Sequence, residues 1–144
     1  MPLRSFLRIV SVVVAGGDIT PPTYSSSEEG DVEDVKLVVT FSENIVSALN
    51  DYVTGVTIKI NAVTEVIVSG IRQANNAIVH YTLTNTPDAN DVITFEYSDT
   101  LGDIADTAGN QLGDITPQTA DNNVGEHLRF TEVSDGVHYV TQLI

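Results

Sequence analysis

The feature that most constrains this chain is the stretch from residue 35 to residue 43, in which apolar and polar side chains alternate. Its apolar members are Val35, Leu37, Val39 and Phe41. Residues two apart in an extended chain share one face, so these four side chains form a single apolar face. β-Branched and aromatic residues dominate the stretch, and they favour a pleated, half-buried strand over a helix. We therefore predict a core strand here.

Further short stretches follow this strand, and those at 56–60, 78–83 and 92–97 show the same alternation, whereas 66–69 continues the sheet. The side chains predicted to face the core are Val56, Ile58, Ile60, Val79, Tyr81, Leu83, Ile93, Phe95 and Tyr97. Clusters of Gly, Asn, Asp and Pro separate the stretches, and no segment has the pattern of a long amphipathic helix. Such spacing is typical of an all-β antiparallel sandwich or barrel. The polar, acidic segment 25–34 is predicted to be an exposed loop before the first strand.

The charge of the chain bears on its partners. Its 144 residues include 20 acidic and 6 basic side chains, giving a net charge of −14. Arg4 and Arg8 precede the first acidic residue, Asp18, so the remainder carries −16. An acidic body repels phosphate backbones, and we expect no nucleic-acid partner. The chain has no Cys, which excludes disulfides and Cys-ligated zinc but leaves the compartment undecided.

The first 17 residues are predicted to form an arm. Residues 9–15 superficially resemble the apolar run of a secretory signal, but Arg8 interrupts the run and leaves seven residues. That length lies at the bottom of the range for a signal and is far short of a membrane span, so we expect neither. Two glycines and two prolines then separate the arm from a domain that starts at residue 18. The arm either docks on another chain or folds back as an extra strand. Its predicted interaction residues are Arg4, Phe6, Leu7, Arg8, Ile9 and Val10.

The C-terminal residues 125–144 are predicted to form a β-hairpin extension. Two alternating stretches, 128–133 and 137–142, flank Ser134, Asp135 and Gly136. An Asp-Gly pair between such stretches is a strong hairpin turn signal. Because an isolated hairpin is marginally stable in water, we expect this one to pack on the sandwich or on a neighbour.

Four segments together resemble the recurrent landmarks of bacterial immunoglobulin-like modules in repeat-bearing surface adhesins. These segments are Asp18-Ile-Thr-Pro-Pro22, Leu37-Val-Val-Thr-Phe-Ser-Glu43, Asp91-Val-Ile-Thr-Phe-Glu-Tyr97 and Ile104-Ala-Asp-Thr-Ala-Gly-Asn110. The resemblance covers residues 18 to about 124, and the stretch 106–110 is its most specific part. It implies an immunoglobulin-like Greek-key β-sandwich that acts as a spacer or recognition module without catalysis. Tailed phages carry similar modules on capsids, tail tubes and fibres.

The chain departs from the adhesin pattern because it holds one module between two short extensions. The pentapeptide Gly-Asp-Ile-Thr-Pro occurs at 17–21 and again at 113–117, a separation of 96 residues that suits one module length. Only 27 residues follow the second copy, too few for a second sandwich. We interpret the repeat as coincidence or as a decayed junction.

One segment suggests metal chemistry. Asp103, Asp106 and Asn110 place carboxylate and amide oxygens around a Gly turn, and such oxygens suit a hard cation such as calcium. The spacing does not fit an EF-hand loop, and Asp and Asn also bond their own backbone in turns. If the two module ends meet, further ligands would be Asp18, Asp121 and Asn123.

The remaining candidate residues do not indicate catalysis. His80, His127 and His138 lack the spacing of a shared metal site. Glu28 and Glu29 are neighbours on the predicted loop, where nothing would raise a carboxyl pKa for acid catalysis. We therefore predict that the chain is not an enzyme and has no cofactor other than the candidate calcium ion.

These observations predict a virion structural protein. The most specific hypothesis is a phage capsid decoration or cement protein that docks on the major capsid protein through its termini, in many copies or as a homo-oligomer. One alternative is a phage tail, neck or fibre component. The other is an immunoglobulin-like module of a bacterial surface adhesin, which would lie outside the cell.

Overall fold

A computed structural model of the protein describes residues 17–29, 36–124, 129–132 and 138–141. The secondary structure within these ranges is entirely β, and none of it is a helix that could span a membrane. The strands in chain order are β1 (Tyr24–Glu29), β2 (Lys36–Phe41), β3 (Ile45–Val46), β4 (Val56–Ile60), β5 (Val63–Thr64), β6 (Ile67–Arg72), β7 (Ile78–Leu83), β8 (Ile93–Tyr97), β9 (Ala105–Asp106), β10 (Ile115–Thr119), β11 (Asp121–Asn122), β12 (Arg129–Glu132) and β13 (His138–Thr141).

Two sheets build the sandwich. One has five strands in the order β11-β1-β2-β7-β6, and the other has four in the order β10-β8-β4-β5. All neighbours are antiparallel except β1 and β11, which are parallel. The chain crosses between the sheets so that β2 pairs with β7 and β4 pairs with β8, as in the two-sheet arrangement of immunoglobulin domains. The predicted all-β sandwich is confirmed.

The core strand predicted first is β2. Leu37, Val39 and Phe41 are buried on its inner face, whereas Lys36, Val38 and Thr40 are half-buried on the other. Each fully buried side chain of this size contributes roughly 1.5–3 kcal/mol relative to an exposed one. Val35, the fourth residue of the predicted face, lies outside the described residues. The inner faces of β7 and β8 also follow the prediction, because their predicted residues are all buried.

Aromatic side chains join the two sheets through the core. The ring of Phe95, from β8, lies 5.7 Å from that of Tyr81, which belongs to β7 in the opposite sheet. Phe95 also stacks on Tyr24 of β1, with ring centroids 6.0 Å apart and planes 18° from parallel. Offset and tilted aromatic pairs add about 0.5–1.5 kcal/mol beyond the area they bury. The strand β1 is therefore fastened to the opposite sheet at its first residue.

The predicted exposed loop at 25–34 is wrong for its first half, because residues 24–29 form β1. Apolar residues do not alternate there, so the pattern does not predict a strand. The backbone of β1 pairs with β2 along its length, with Glu28 opposite Val38. Ser27 and Glu29 are buried on the inner side. The hydroxyl of Ser27 lies 2.8 Å from that of Tyr24, so this polar group is bonded inside the fold.

Two tyrosine hydroxyls in the core differ in their surroundings. The backbone N–H of Ile104 donates to Tyr97 Oη at 3.1 Å. A Cβ at position 102 would lie 2.6 Å from the same oxygen, so glycine is required there. Tyr81 Oη is buried, and it has no hydrogen-bond partner among the described residues. Burial raises the pKa of Tyr81.

The repeated pentapeptide adopts two different structures. Its first copy, 17–21, is irregular and precedes β1, whereas the last three residues of the second copy, 115–117, begin β10. In the second copy Ile115 pairs with Tyr97 of β8, a neighbour that the first copy lacks. The two copies therefore do not mark equivalent points of the module.

The C-terminal strands pair as predicted. Arg129 lies opposite Thr141 and Glu132 opposite His138 in the antiparallel pair β12–β13. The boundaries of the three predicted segments, 1–17, 18–124 and 125–144, stay predictions.

The two tyrosines provide a matched test of the core. We expect Tyr97→Phe to lower the free energy of unfolding by about 1 kcal/mol, because the N–H of Ile104 loses its acceptor. We expect Tyr81→Phe to leave it unchanged or to raise it, because a buried hydroxyl without a partner costs about 1–3 kcal/mol. Urea unfolding of the three proteins measures both effects. Equal destabilisation by the two substitutions would contradict the contrast.

Candidate metal centre

The turn after β9 is organised by the side chain of Asp106. Its Oδ1 accepts hydrogen bonds from the backbone N–H groups of Ala108 and Asn110, both at 2.8 Å. Its Oδ2 accepts a third from the Asn110 side-chain amide at 2.7 Å. Gly109 takes a φ of 93°, which a glycine adopts without steric cost. The Asp-Thr-Ala-Gly-Asn sequence therefore folds into a turn around a buried carboxylate.

The same turn holds the segment through which the chain enters the sandwich. The Asn110 amide Nδ2 also donates to the backbone carbonyl of Asp18 at 3.0 Å. The Asp18 carboxylate Oδ1 accepts the N–H of Thr20 at 3.0 Å. Residues separated by 92 positions in the sequence are thus joined by one amide group. This contact places the Asp18 carboxylate beside the turn.

Glu43 completes a group of three carboxylates. It follows β2, whose end is joined to the entry segment because Ser42 N–H donates to the carbonyl of Thr23 at 2.8 Å. Each of Asp18, Glu43 and Asp106 offers an oxygen, and these oxygens lie within 4.8 Å of one another. Asp18 is exposed, Glu43 is half-buried and Asp106 is buried. We call these three residues the entry carboxylates.

The electrostatics of the entry carboxylates are uneven. Burial raises the pKa of Glu43 above its ordinary value, and the charges of Asp18 and Asp106 raise it further. Burial also acts to raise the pKa of Asp106, but the hydrogen bonds from Asn110 and from the backbone of the turn outweigh it. The pKa of Asp106 is therefore below its ordinary value. As the pH falls, Glu43 takes up a proton before Asp106 does.

The donor set suits a hard divalent cation. Calcium takes six to eight oxygen ligands, and carboxylates and carbonyls are the groups that supply them. A carboxylate has about four acceptor positions, and Asp106 already uses three, so it could give one oxygen to an ion. Asp18 and Glu43 are the members with more acceptor positions left. A cation between them would also offset the mutual repulsion of the three charges.

The structure brings together some of the predicted metal residues and separates others. Asp106, Asn110 and Asp18 meet at the turn, although Asn110 points its amide nitrogen at the two aspartates. Asp103 lies apart from the carboxylate group: it accepts hydrogen bonds from Ser47 Oγ at 2.7 Å and Ala48 N at 3.0 Å, which pin a neighbouring loop.

The two remaining predicted ligands also stand apart from the entry carboxylates. Asp121 lies in β11 opposite Glu28, and Asn123 follows that strand. Sequence reasoning missed Glu43 as a ligand, although it belongs to the Phe-Ser-Glu landmark. The predicted arm residues, at positions 4 and 6–10, lie outside the described residues.

A shallow hollow of about 320 Å³ lies between β1 and β10, near the entry segment. Pro22, Tyr24, Leu112 and Ile115 form part of its lining. The carboxylate in this lining, Asp114, already accepts the N–H of Asp99 at 2.9 Å. Thr23, Thr116 and Gln118 also line the hollow, so its lining is partly polar.

Comparison with known proteins gives a likeness in fold. No protein-family model matches the chain, and no curated protein sequence matches it. Domains 1–6 of the surface layer protein SbsC match with a TM-score of 0.56 at 18% identity, over 69% of this chain and 14% of that one. The N-terminal part of the bacterial S-layer protein SbsC matches with a TM-score of 0.57 at 16% identity, over 84% and 33%. The S-layer protein rSbsC(31-844) matches with a TM-score of 0.55 at 15% identity, over 82% and 19%.

The chain thus spans a third or less of each of these solved chains. At such identities the likeness shows the fold. It places the sandwich among β-rich domains of the kind found in an S-layer protein.

Calcium provides a direct test of the entry carboxylates. We expect Ca²⁺ to raise the melting temperature of the natural chain, because a ligand bound only by the folded state stabilises it by about 2.7 kcal/mol at 100 times its Kd. Glu43→Gln should lose most of this rise. Asp103→Asn is the matched control and should keep it, although its loop is weakened. Differential scanning calorimetry with and without EDTA makes the measurement. An equal response of all three proteins would exclude the site.

The raised pKa of Glu43 predicts a pH dependence in the absence of divalent cations. A raised folded-state pKa means that the folded chain binds this proton more tightly than the unfolded chain. Above the raised pKa, the charged Glu43 side chain therefore lowers the free energy of unfolding by its full amount. This destabilisation decreases as the pH falls below the raised pKa, and it is absent below the ordinary glutamate pKa of about 4.3. We expect Glu43→Gln to be more stable than the natural chain at neutral pH, and the difference to vanish below about pH 4. A difference that is independent of pH would contradict this account.

Proposed function

We propose that this chain is an immunoglobulin-like structural module of a bacterial cell-surface protein and that it performs no catalysis. The observation that carries the proposal is the likeness of the sandwich to S-layer protein domains, over 69–84% of the chain. This role corresponds to the surface-module alternative from the sequence. Its localisation is the cell exterior.

The path of the chain supports a load-bearing or spacing role. The entry segment reaches the sandwich beside Ser42, at the end of the sheet where β1 begins and β2 ends. The chain leaves through β11, which lies beside Glu28 and Glu29 at the other end of β1. Six residues of strand separate these points by about 20 Å. A module entered at one end and left at the other can be strung between neighbours like a spacer.

The entry carboxylates fit the same role. They join the entry segment, the end of β2 and the turn after β9 at a single point. A calcium ion bound by Asp18, Glu43 and Asp106 would lock the direction in which the chain enters the module. The ion would then stiffen the junction with whatever precedes residue 17, without taking part in any reaction.

The virion hypothesis stays a prediction. A capsid decoration protein that docks on the major capsid protein would use the same sandwich as its displayed body, and a phage tail, neck or fibre component would do likewise. The residues that would make the contact are those of the predicted arm, which the described part of the chain does not include. The acidic sandwich is compatible with either setting.

Surface labelling distinguishes these functions. We expect an antibody raised against the full chain to label intact cells of the bacterium that produces it, and mild protease treatment of those cells to remove the signal. An antibody against a cytoplasmic protein serves as the control for lysis. Labelling of purified virions, together with no labelling of phage-free cells, would overturn the proposal in favour of the virion role.

A further inference from the structure

Within the described residues, the five-stranded sheet ends at the edge strand β6. This strand has six residues, and within the described residues it pairs on one side only, with β7. A strand at a sheet edge presents unpaired N–H and C=O groups to its surroundings. The edge at β6 can therefore accept another strand.

The other edges of the two large sheets are protected. Both β11 and β5 have two residues, which gives an added strand little to bind. The edge strand β10 contains Pro117, which lacks an N–H, and its register shifts between Ile115 and Gln118. Natural sheets commonly block their edges with such short strands, prolines and irregularities. In the described part of the chain β6 is the longest of these edge strands, and it has neither a proline nor an acidic residue. Its pairing with β7 does shift register between Ile67 and Ser69, but the residues from Ser69 to Arg72 pair without interruption.

Apolar side chains line the open edge. Val66 is 67% exposed, Val68 is 64% exposed and Ile71 is 59% exposed. The one charged residue of the strand, Arg72, turns its guanidinium away, where Nη1 donates to the carbonyl of Ile45 at 2.8 Å. In the part of the chain that the structure describes, this edge therefore combines exposed apolar side chains with backbone groups that no neighbouring strand pairs, and no charged side chain of β6 covers it.

The charge pattern of the chain selects the kind of partner. No acidic residue occurs from Val66 to Pro87, although the chain as a whole has 20. Glu65, which precedes this stretch, is held by the backbone N–H of Asn85 at 3.0 Å and by its side-chain amide. Two copies of so acidic a protein repel each other over most of their surfaces. Two copies that meet through their β6–β7 hairpins avoid this repulsion between the hairpins, because neither hairpin carries an acidic side chain.

We propose that β6 pairs in antiparallel fashion with β6 of a second copy, so that the two five-stranded sheets become one continuous sheet. The inference deepens the proposed structural role, on which it rests for its biological meaning. A two-fold axis would relate the copies, because the same edge is used by both. Backbone hydrogen bonds would supply affinity, and the exposed apolar side chains would supply buried area.

The backbone alternation suggests a register. Gln73 N–H donates to the carbonyl of Ile78 at 2.9 Å, towards β7. Along an antiparallel strand, successive residues direct their N–H and C=O groups alternately to one side and to the other. Because Gln73 faces β7, Ile71 does so too, and Gly70 and Arg72 direct their backbone groups to the edge away from β7. Pairing Gly70 with Arg72 of the second copy satisfies both. It also sets Ile71 directly opposite Ile71 of the second copy, in a pair whose Cβ atoms lie about 4.5–5.5 Å apart.

A single introduced cysteine tests the register, because the natural chain has no Cys. We expect full-length Ile71→Cys to form a disulfide-linked dimer rapidly under mild oxidation. Leu101→Cys is the matched control, since Leu101 is 71% exposed and lies outside the hairpin. It should crosslink slowly, by collision alone. Equal rates for the two variants would overturn the proposal.

Sedimentation equilibrium tests the interface without a covalent bond. We expect Ile71→Lys to weaken self-association at least tenfold relative to the natural chain, while Leu101→Lys leaves it unchanged. Both side chains are exposed, so thermal unfolding should show that both variants fold. Monomeric behaviour of the natural chain at all accessible concentrations would overturn the proposal, as would an equal loss in both variants.

Salt separates this interface from docking of the basic arm. We expect association of the natural chain to tighten as the salt concentration rises from about 0.05 to about 0.5 M, because screening reduces the repulsion between acidic bodies. Attachment of the arm to an acidic surface would weaken instead. Val10→Asp in the arm should have no effect, and loss of association in that variant would assign the contact to the arm. Cell-surface labelling of the Ile71→Lys variant tests the proposed function separately from this inference. Loss of labelling would contradict the cell-surface role, whereas self-association that is unchanged in this variant would contradict only the pairing of β6.

Discussion

The burial of one face of β2 is the constraint on which the rest of the sandwich depends. This strand lies between β1 and β7, so its backbone is paired on both sides. Its side chains Leu37, Val39 and Phe41 face the opposite sheet. A shift of one residue would turn this face to solvent and expose all three, so the register with both neighbours is fixed by burial. The strand β1, which has no apolar alternation, is held in place by this neighbour.

The fixed position of the end of β2 brings three carboxylates close together. Glu43 follows the strand, the entry segment pairs with Ser42, and the turn around Asp106 holds Asp18 through Asn110. Three carboxylates are thereby gathered at the point where the chain enters the module. Packing and hydrogen bonds stabilise this arrangement despite the repulsion between its charges. Cation binding would convert the repulsion into attraction, and it would link the rigidity of the junction to the surrounding ion concentration.

The acidic surface and the open edge of β6 together restrict assembly. A strongly negative surface repels the equally negative surface of a second copy and the phosphate backbone of a nucleic acid. The stretch from Val66 to Pro87 carries no acidic residue, and it contains β6, an edge strand with neither a proline nor an acidic side chain. A surface module gains from such an arrangement, because association is then confined to one defined face. The same body in a different setting, such as a virion, would be subject to the same restriction.

By itself the sequence determined the strands whose side chains alternate, because period-two burial is a local property of an extended chain. It also determined the turn at 106–110, because Asp, Gly and Asn bond and bend their own backbone. Only the tertiary structure decided that β1 is a strand, since a polar segment becomes one when a neighbour such as β2 pairs with it. The sequence predicted part of the carboxylate site, because Asp106 and Asp18 were both candidate ligands. The tertiary structure replaced Asp103, which binds a different loop, with Glu43, which lies just after the end of β2. The pentapeptide at 17–21 and 113–117 shows that a neighbouring strand decides the structure of such a segment. Its identical residues form a strand only in the copy that lies beside β8.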